Sequence, residues 1–390
     1  MSQAVIVTAV RTPVATARKG SLAHTTANEL ARTILAGAID RAGIDKDAVD
    51  DVIFAESMWG GGAVARHAVV ECGLPRAGGM AINRHCAGSL TAAGLAAAQV
   101  LSGMEDLIIA GGVQSTSTAP TLSWRDPATG ETHSPWGPPT HPDRPDAPNR
   151  DMSITVGWNT AKLTGITRAE MDAWAVRSHH RAAAAIEAGH FHDEIVPVSA
   201  RKEDGSFFEF ATDEHPRRDS SLEKLATLKP IHPEIADFPI TAGNASGVND
   251  AASALVITRD DVARSEGLGT RARLIGWTSL GSDPARTGMA AIDVIEKLLA
   301  KAGRSAADIS LWEINEAFAV VPLAACRQFS LDEDRVNISG SGCSIGHPVA
   351  ASGGRMIATL IRDLERRGGG LGVAAMCAGG GQAGAVLIEV

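Results

Sequence analysis

One cysteine of this chain stands where a thiol could act as a nucleophile. Cys86 follows a short strand-like stretch, Met80–Asn83, and precedes an alanine-rich, helix-like stretch, Gly88–Ser102. A thiol at a helix N-terminus feels the positive end of the helix dipole, which is expected to lower the thiol pKa. A lone free cysteine is also often a small buried hydrophobic residue. The local sequence leaves these two interpretations of Cys86 equally open.

A histidine and an asparagine stand in segments that could support such a thiol. His347 lies in Gly346-His347-Pro348, before a second helix-like stretch, and could be the base that activates a cysteine. Taken alone, it fits a solvated loop histidine better. Asn315 follows the predicted strand Leu311–Ile314, where it could either cap the next helix or orient a water molecule.

A second cysteine, Cys377, ends an apolar strand and is followed by three glycines at 379–381. Consecutive glycines after a strand expose backbone N–H groups that could hold an oxyanion. A dinucleotide-binding loop would instead need a helix after its glycines. The residues after Gly384 are strand-like, so the dinucleotide alternative fails.

Alternating strands and helices must position these residues. The apolar stretches Ala4–Val7, Val52–Ala55 and Leu107–Ala110 predict buried strands, the last of them ended by Gly111. Ala27–Ala42 has the spacing of a helix. This β-α-β order indicates an α/β fold with layered sheets.

The last third of the chain repeats the pattern of the first. Arg41–Val49 is echoed by Lys301–Ile309, an offset of 260 residues, and each copy leads into a strand. Both halves then place an alanine-rich helix before a strand that ends in Ala-Gly-Gly. An offset of 260 from Cys86 leads to position 346, beside His347. A site between the two halves would therefore receive residues from equivalent loops.

Composition bounds the function classes. The chain has 390 residues, 44% of them hydrophobic, and a net charge of −9, which argues against a nucleic-acid surface. Its five cysteines are scattered, which fits free thiols in a reducing compartment. There is no signal-peptide pattern and no apolar run long enough to span a membrane. We therefore expect a cytoplasmic protein.

In their order and spacing, these segments resemble the thiolase family. The motifs are Asn-x-x-Cys ending at Cys86, Asn-Glu-Ala-Phe-Ala at 315–319, Gly-His-Pro at 346–348 and Cys-x-Gly-Gly-Gly at 377–381. Residues 241–250 also look like a thiolase segment. The resemblance covers almost the whole chain. It implies an α/β fold of duplicated halves with a layered α-β-α-β-α core and an inserted loop domain.

The resemblance implies a role for each candidate residue. Cys86 would be the nucleophile that becomes acylated, with His347 accepting its proton. Cys377 would exchange a proton with the α-carbon of the substrate. Asn315, through a water molecule, and His347 would form one oxyanion hole, and the backbone N–H groups of Cys86 and Gly379 would form the other.

The resemblance also implies domain boundaries. Residues 1–118, completed by about 248–268, would form the N-terminal thiolase half, and residues 269–390 the C-terminal half. Residues 119–247 would form an inserted loop domain that binds CoA.

The same comparison implies CoA contacts. Ser246 and Met152 would approach the pantetheine, Arg217 the adenine end, and Ala242 belongs to the same set. Arg217 and Arg218 supply local positive charge for phosphate, although two solvated surface arginines are equally compatible with the sequence. CoA is expected as a substrate, with no permanently bound cofactor and no metal.

Departures from the family pattern bear on the site. The family's Cys-x-Ser-Gly becomes Cys-Ala-Gly-Ser, so that Ser89 lies one step further into the helix and could reshape the acyl pocket. Cys343 adds a thiol, and Asp151 replaces a histidine near the thioester. The proline-rich loop 119–150 also differs. Its Trp124 and Trp136 could contact a longer or branched acyl chain, or could anchor the loop.

The predicted function is reversible thiolytic cleavage of 3-ketoacyl-CoA to acyl-CoA and acetyl-CoA through an acyl-cysteine. A ketosynthase-type enzyme would carry a histidine in place of Cys377. A non-catalytic thiolase-like protein, which binds CoA thioesters or supports a partner subunit, is the alternative. We expect acyl-CoA and CoA as partners, a homodimer or homotetramer, no nucleic acid and no membrane span.

Overall fold

The computed structural model describes residues 2–57, 63–74, 76–134 and 139–390. Within these ranges the α-helices are α1 (Ala27–Ala42), α2 (Val64–Glu71), α3 (Gly88–Ser102), α4 (Asn159–Thr164), α5 (Arg168–Glu187), α6 (Leu222–Ala226), α7 (Asp260–Ser265), α8 (Ala290–Ala302), α9 (Val320–Phe329) and α10 (Ser352–Arg366). No helix of this described part is long and apolar enough to cross a membrane.

The strands of the same residues are β1 (Ala4–Arg11), β2 (Ala15–Thr16), β3 (Asp51–Ala55), β4 (Met80–Ile82), β5 (Leu107–Gln114), β6 (Trp124–Arg125), β7 (Thr132–His133), β8 (Val198–Arg201), β9 (Phe207–Phe210), β10 (Asn249–Arg259), β11 (Ala272–Gly281), β12 (Leu311–Ile314), β13 (Leu371–Ala378) and β14 (Gln382–Glu389).

One large mixed sheet runs through the molecule in the order β12-β13-β14-β11-β1-β10-β5-β3-β4. Its centre is the antiparallel pair of β1 and β11. Outward from this pair, β10, β5 and β3 on one side correspond to β14, β13 and β12 on the other. The last two strands of each set, β5 with β3 and β13 with β12, are parallel. The strand order therefore shows the duplication that the repeated sequence pattern predicts.

Three of the four hydrophobic cores of the described residues lie between helices and the sheet. One core joins α1 and α2 to the N-terminal half of the sheet, and another joins α8 and α9 to the C-terminal half. The third lies around α3 and α10, which pack between strands of both halves. Because α3 and α10 are buried on nearly all sides, small residues dominate α3 and allow close helix packing. The layers alternate helix and sheet.

Glycines end two helices where the sequence predicts, but they do not end β5. Gly43 and Gly103 follow α1 and α3 with φ of 64° and 75°, the left-handed region that glycine favours. The predicted end of the third strand at Gly111 is wrong, because β5 continues to Gln114. A Cβ at Gly111 would lie 1.9 Å from the carbonyl oxygen of Ser253, so this glycine permits close approach of β10.

A buried ion pair fastens β1 to the segment that follows α5. Arg11 is fully buried, and its guanidinium donates to Glu194 at 2.6 Å and to Asp213 at 2.7 Å. Removing one partner of a buried pair leaves an uncompensated charge, so all three residues depend on each other. Arg11 thus holds Glu194 and Asp213 against the N-terminal half of the sheet.

Candidate active site

The N-termini of the two central helices meet at the candidate site. Ser89, in the first turn of α3, accepts a hydrogen bond at 3.0 Å from the N–H of Gly354 in α10. Cys86 lies just before α3, and His347 lies in the loop that leads to α10. The structure therefore brings the equivalent loops of the two halves together, as the offset of 260 residues predicts.

Cys86 occupies a single 3₁₀ turn, His85–Ala87, and is half-buried. His85 has φ of +46°, a left-handed conformation that is uncommon for a residue with a side chain and that recurs at functional sites. The turn lies beside the loop after β13: a Cβ at Gly379 would be 3.7 Å from the ring of His85, and the Gly379 N–H favours the Cys86 thiolate by lowering the thiol pKa.

The pKa of Cys86 differs from the sequence-based expectation. Burial raises the pKa of the Cys86 thiol to about 11, while the backbone N–H groups of Gly379 and of Cys86 itself lower it by less. The expected lowering by the helix N-terminus is therefore wrong for the unliganded protein, because loss of hydration disfavours the thiolate more than the N–H groups favour it. The thiol consequently needs a base.

Cys377 lies at the end of β13, fully inside the protein. Burial raises the pKa of its thiol above the ordinary value, and the negative charge of a Cys86 thiolate raises it further. Ionisation of one thiol therefore disfavours ionisation of the other. Their mutual repulsion as thiolates favours one ionised thiol at a time.

The glycine turn after Cys377 is held from outside by two side chains. Gly381 donates its N–H to Oγ1 of Thr287 at 3.0 Å. Gly380 has φ of 79°, and a Cβ there would lie 2.7 Å from the side chain of Thr140. Only glycine fits a turn of this conformation beneath such close packing. The Gly379 N–H that faces Cys86 is thereby fixed in position.

His347 is a neutral base in the interior. Burial, and then the positive charge of Arg355, lowers the pKa of His347 to about 3. The imidazole is therefore uncharged at physiological pH, and one ring nitrogen is free to accept a proton. This is the protonation state that a base for the Cys86 thiol requires.

The loop that carries His347 is fixed by its neighbours. The backbone N–H of His347 donates to Oδ1 of Asn249 at 2.9 Å, and Nδ1 lies 2.6 Å from Oγ of Ser352. Gly346 has φ of 113°, and a Cβ there would lie 2.7 Å from the side chain of Asn249. The glycine is thus needed both for its backbone conformation and for the space that Asn249 occupies.

Asn315 contacts the imidazole and does not cap a helix. Its Nδ2 lies 3.4 Å and 3.5 Å from the two ring nitrogens of His347. The next helix, α9, begins five residues later at Val320 and has Ala319 as its N-cap. Oδ1 of Asn315 is buried and has no hydrogen-bond partner among the described residues. A buried polar atom is costly when unpaired, so this atom is available to substrate or solvent.

The segment 241–250 crosses the loops of the site. Ser246 donates its N–H to the carbonyl oxygen of Ala317 at 2.9 Å, and Val248 forms a parallel bridge with His347. Of the candidate CoA residues, Ser246 therefore lies directly beside the Asn315 and His347 loops. Met152 is half-buried against the C-terminal core, and Ala242 is exposed.

The two adjacent arginines differ in their surroundings. Arg218 forms an exposed ion pair with Glu187. The Arg217 guanidinium has no carboxylate partner among the described residues, while its backbone N–H donates to Nδ1 of His179 at 3.2 Å. Burial lowers the pKa of His179 to about 4, which keeps the ring neutral and able to accept this bond. Of the two arginines, only Arg217 lacks a direct ion pair among the described residues.

The two changed polar side chains bond within the protein. Oγ of Ser89 is fully buried against α10. Asp151 accepts from the N–H of Ser153 at 3.0 Å and lies 2.6 Å from Nε2 of His232. Each of these polar side chains has an internal partner.

The extra thiol, Cys343, is also internal. Its N–H donates to the Glu316 carboxylate at 3.1 Å, and its sulfur contacts the Glu316 carbonyl oxygen at 3.4 Å. Burial raises the pKa of Cys343 well above its ordinary value. This thiol is therefore poorly suited to act as a nucleophile.

Of the two loop tryptophans, Trp124 and Trp136, the structure describes the first. Trp124 lies in β6, is 36% exposed and packs its ring 5.2 Å from that of His133 in β7. This hairpin contact supports the loop-anchoring interpretation of Trp124. Trp136 lies outside the described residues.

Sequence inspection missed several residues of the site: Thr140, His232, Asn249 and Ser352. Asn249 and Ser352 lie within recognisable segments, three and five residues from residues that were singled out. Thr140 and His232 lie in loops without a motif, and only their contacts reveal them.

Comparisons with known proteins cover the whole chain. The family model "Thiolase, N-terminal domain" matches residues 4–261, and "Thiolase, C-terminal domain" matches residues 268–390. The acetyl-CoA acetyltransferase of Escherichia coli (strain K12) is 38% identical, over 100% of this chain and 99% of the relative. That of Paracoccus denitrificans is also 38% identical, over 100% of both chains.

Solved structures agree. The acetyl-CoA acetyltransferase of Bacillus anthracis superimposes with a TM-score of 0.90 at 36% identity, covering 100% of this chain and 99% of that one. Human mitochondrial 3-ketoacyl-CoA thiolase superimposes with a TM-score of 0.88 at 30% identity, covering 100% and 98%. The predicted fold class is thereby confirmed.

Proposed function

We propose roles for individual residues from the premise that this chain belongs to the thiolase family. It is a catalytic acyltransferase that reversibly cleaves 3-ketoacyl-CoA with CoA to acyl-CoA and acetyl-CoA. The non-catalytic alternative is not favoured, because relatives named acetyl-CoA acetyltransferase align with the chain from end to end.

Cys86 is the nucleophile of this proposal. In the cleavage direction its thiol gives its proton to His347, and the thiolate attacks the C3 carbonyl carbon of 3-ketoacyl-CoA. The C2–C3 bond then breaks, leaving the acyl group on sulfur and the enolate of acetyl-CoA. A neutral imidazole supports this assignment, because burial gives the Cys86 thiol a pKa of about 11 and prevents it from ionising unaided.

Cys377 is the proton donor to the enolate. Its thiol protonates C2, and acetyl-CoA leaves. The thiol of incoming CoA then gives its proton to the Cys377 thiolate and attacks the acyl carbonyl. The Cys86 thiolate leaves and regains its proton from His347, so all three groups return to their starting states.

Two groups of donors would stabilise the negative oxygens. The N–H groups of Cys86 and Gly379 act on the Cys86 sulfur, so the carbonyl oxygen of an acyl group bound there lies within their reach. Asn315 and His347, in mutual contact, would serve the thioester oxygen of the enolate. The convergence of Cys86, Gly379 and Cys377 is the observation that carries the proposal.

We propose three parts of the chain: an N-terminal half (1–118, completed by about 248–268), inserted residues 119–247, and a C-terminal half (269–390). CoA would extend from the active site over the inserted residues. We propose that Ser246 and Met152 contact the pantetheine and that Ala242 also contacts CoA. Arg217 would contact the adenine end, because its side chain is exposed and forms no direct ion pair among the described residues.

We expect Arg217→Ala to raise the KM for CoA several-fold with little change in kcat, since it removes charge that contacts only the distal part of the substrate. Arg218→Ala is the matched control, because its charge is already paired with Glu187. Steady-state thiolysis over a range of CoA concentrations measures both. Equal KM values for the two variants would contradict the assignment of Arg217.

An unpaired sheet edge and the free thiols bear on the assembly and the location of the protein. We propose a homodimer or homotetramer, because β4 leaves one edge of the large sheet unpaired within the described residues. Light scattering that finds only a 40.4 kDa species would contradict this. The five free thiols support a reducing, cytoplasmic setting. A role in fatty acid metabolism fits the substrate class.

Consumption of acetoacetyl-CoA that depends on free CoA would test the function directly. A series of 3-ketoacyl-CoA substrates of increasing chain length tests the preference for longer or branched chains. A kcat/KM that is highest with acetoacetyl-CoA and falls steadily with chain length would contradict this preference. Absence of CoA-dependent cleavage across the whole series would refute the proposed function.

A further inference from the structure

The hydroxyl of Ser352 holds the imidazole of His347. Its Oγ lies 2.6 Å from Nδ1 of His347 and 2.9 Å from the carbonyl oxygen of Pro348. Ser352 has 0% exposed surface and His347 has 6%, so bulk water does not compete for these bonds. The hydroxyl thus links the ring to the backbone of the loop that carries it.

A serine hydroxyl has one hydrogen, and this decides the direction of both bonds. The carbonyl oxygen of Pro348 can only accept, so the hydroxyl of Ser352 donates to it. The contact with His347 is then favourable only if Nδ1 carries a hydrogen and donates it to Oγ. A neutral imidazole has a single N–H, so Nε2 keeps a free lone pair.

The Asn315 amide lies close to both ring nitrogens. Its Nδ2 is 3.4 Å from Nδ1 and 3.5 Å from Nε2 of His347, so this contact does not select a tautomer. The bonds of Ser352 alone set the direction. The opposite tautomer would place a hydrogen on Nε2, and the ring could not then take a proton at that atom.

The backbone leaves Ser352 little freedom. Its N–H also donates to the carbonyl oxygen of Pro348 at 2.9 Å, and it is the first residue of the buried helix α10. One turn further along, Arg355 pairs with Glu313 at 2.7 Å, which fixes a positive charge that opposes protonation of the ring. The hydroxyl is therefore delivered to Nδ1 by the fold.

We propose that Ser352 is a positioning residue that keeps His347 in the Nδ1–H tautomer, with Nε2 free to take the proton of Cys86. This inference rests on the proposed role of His347 as the base. Ser352 acts through His347, in the way that hydrogen-bond partners of catalytic histidines generally select the tautomer.

Replacing Ser352 by alanine removes the acceptor for Nδ1–H and allows the Nε2–H tautomer to accumulate. Single-turnover acylation of Cys86 by acetyl-CoA is expected to slow roughly 10- to 100-fold, the range of losses when the hydrogen-bond partners of metal-ligating histidines are removed. Ser339→Ala is the matched control. That hydroxyl is also buried and lies 2.6 Å from Asp363 in the same helix, far along α10 from His347.

A readout independent of activity comes from nitrogen NMR of protein labelled with ¹⁵N-histidine. The His347 signals are identified by their absence in His347→Gln. In the wild-type protein Nδ1 should be protonated and Nε2 unprotonated. In Ser352→Ala the Nε2–H form should rise, whereas Ser339→Ala should match wild type.

The outcomes separate the inference from its premise. A resting wild-type protein with His347 in the Nε2–H form would overturn the inference, even if Ser352→Ala failed to fold. A folded Ser352→Ala with unchanged tautomer and acylation rate would overturn it too, yet leave the base role intact. Normal acylation in His347→Gln would instead refute the proposed base.

Discussion

Replacing Cys86 by alanine should abolish both thiolysis and condensation, lowering kcat by roughly 10⁴-fold or more, because no acyl-cysteine can form. The wild-type protein incubated with acetyl-CoA should gain one acetyl group on the peptide that contains Cys86. The variant should gain none. Intact-mass and peptide mass spectrometry provide the measurement.

Cys343→Ala is the matched control for this substitution. Cys343 is another buried thiol near the site, bonded to Glu316 and given a raised pKa by burial. Its loss should leave acetylation of Cys86 intact. Acetylation of Cys343 or Cys377 in the wild-type protein, with Cys86 unmodified, would overturn the assignment of the nucleophile.

Cys377→Ala should slow condensation strongly but should still allow acylation of Cys86. In the acylation of Cys86, Cys377 only protonates the leaving CoA thiolate, and solvent can supply this proton, so one equivalent of CoA should still be released from acetyl-CoA. Formation of acetoacetyl-CoA needs a base to remove the α-proton, and its rate should fall by about 10²- to 10⁴-fold. A burst assay for free CoA and a separate assay for the condensation product measure the two halves.

Two results would contradict the role of Cys377. Condensation at a near wild-type rate would show that another group exchanges the α-proton. Loss of the CoA burst would show that Cys377 is needed for acylation. The second result would also mean that the two thiols, whose ionisation is coupled, do not act in separate steps.

Local sequence signals predicted the elements well where one residue decides the geometry. The predicted bounds of Ala27–Ala42 and Gly88–Ser102 coincide with α1 and α3, because glycines in the left-handed conformation terminate both helices. Gly111 carries the same sequence signal but lies inside β5. Its role depends on Ser253 in a neighbouring strand, which is distant in the chain.

The departures from the family pattern show a second limit. Ser89 and Asp151 are visible as changes in the motifs, but the sequence does not reveal which way their side chains point. Ser89 faces α10, and Asp151 faces His232, 81 residues away in the chain. A reshaped acyl pocket at these positions therefore stays a prediction, which the series of 3-ketoacyl-CoA substrates tests.

The sequence by itself determined the chemical groups, their order and their symmetry. Cys86, Asn315, His347 and Cys377 are readable from their motifs, and the repeat at 260 residues indicates that loops of the two halves meet. These features are local or periodic along the chain, so the amino-acid sequence alone reveals them.

Only the tertiary structure decided the protonation states. The thiol pKa of Cys86 depends on how much water the surrounding layers exclude, and burial outweighs the local helix N-terminus. The tautomer of His347 depends on Ser352, and its backbone position depends on Asn249, 98 residues away. Desolvation and hydrogen-bond partnership are properties of the packed environment, so no motif around a residue determines them.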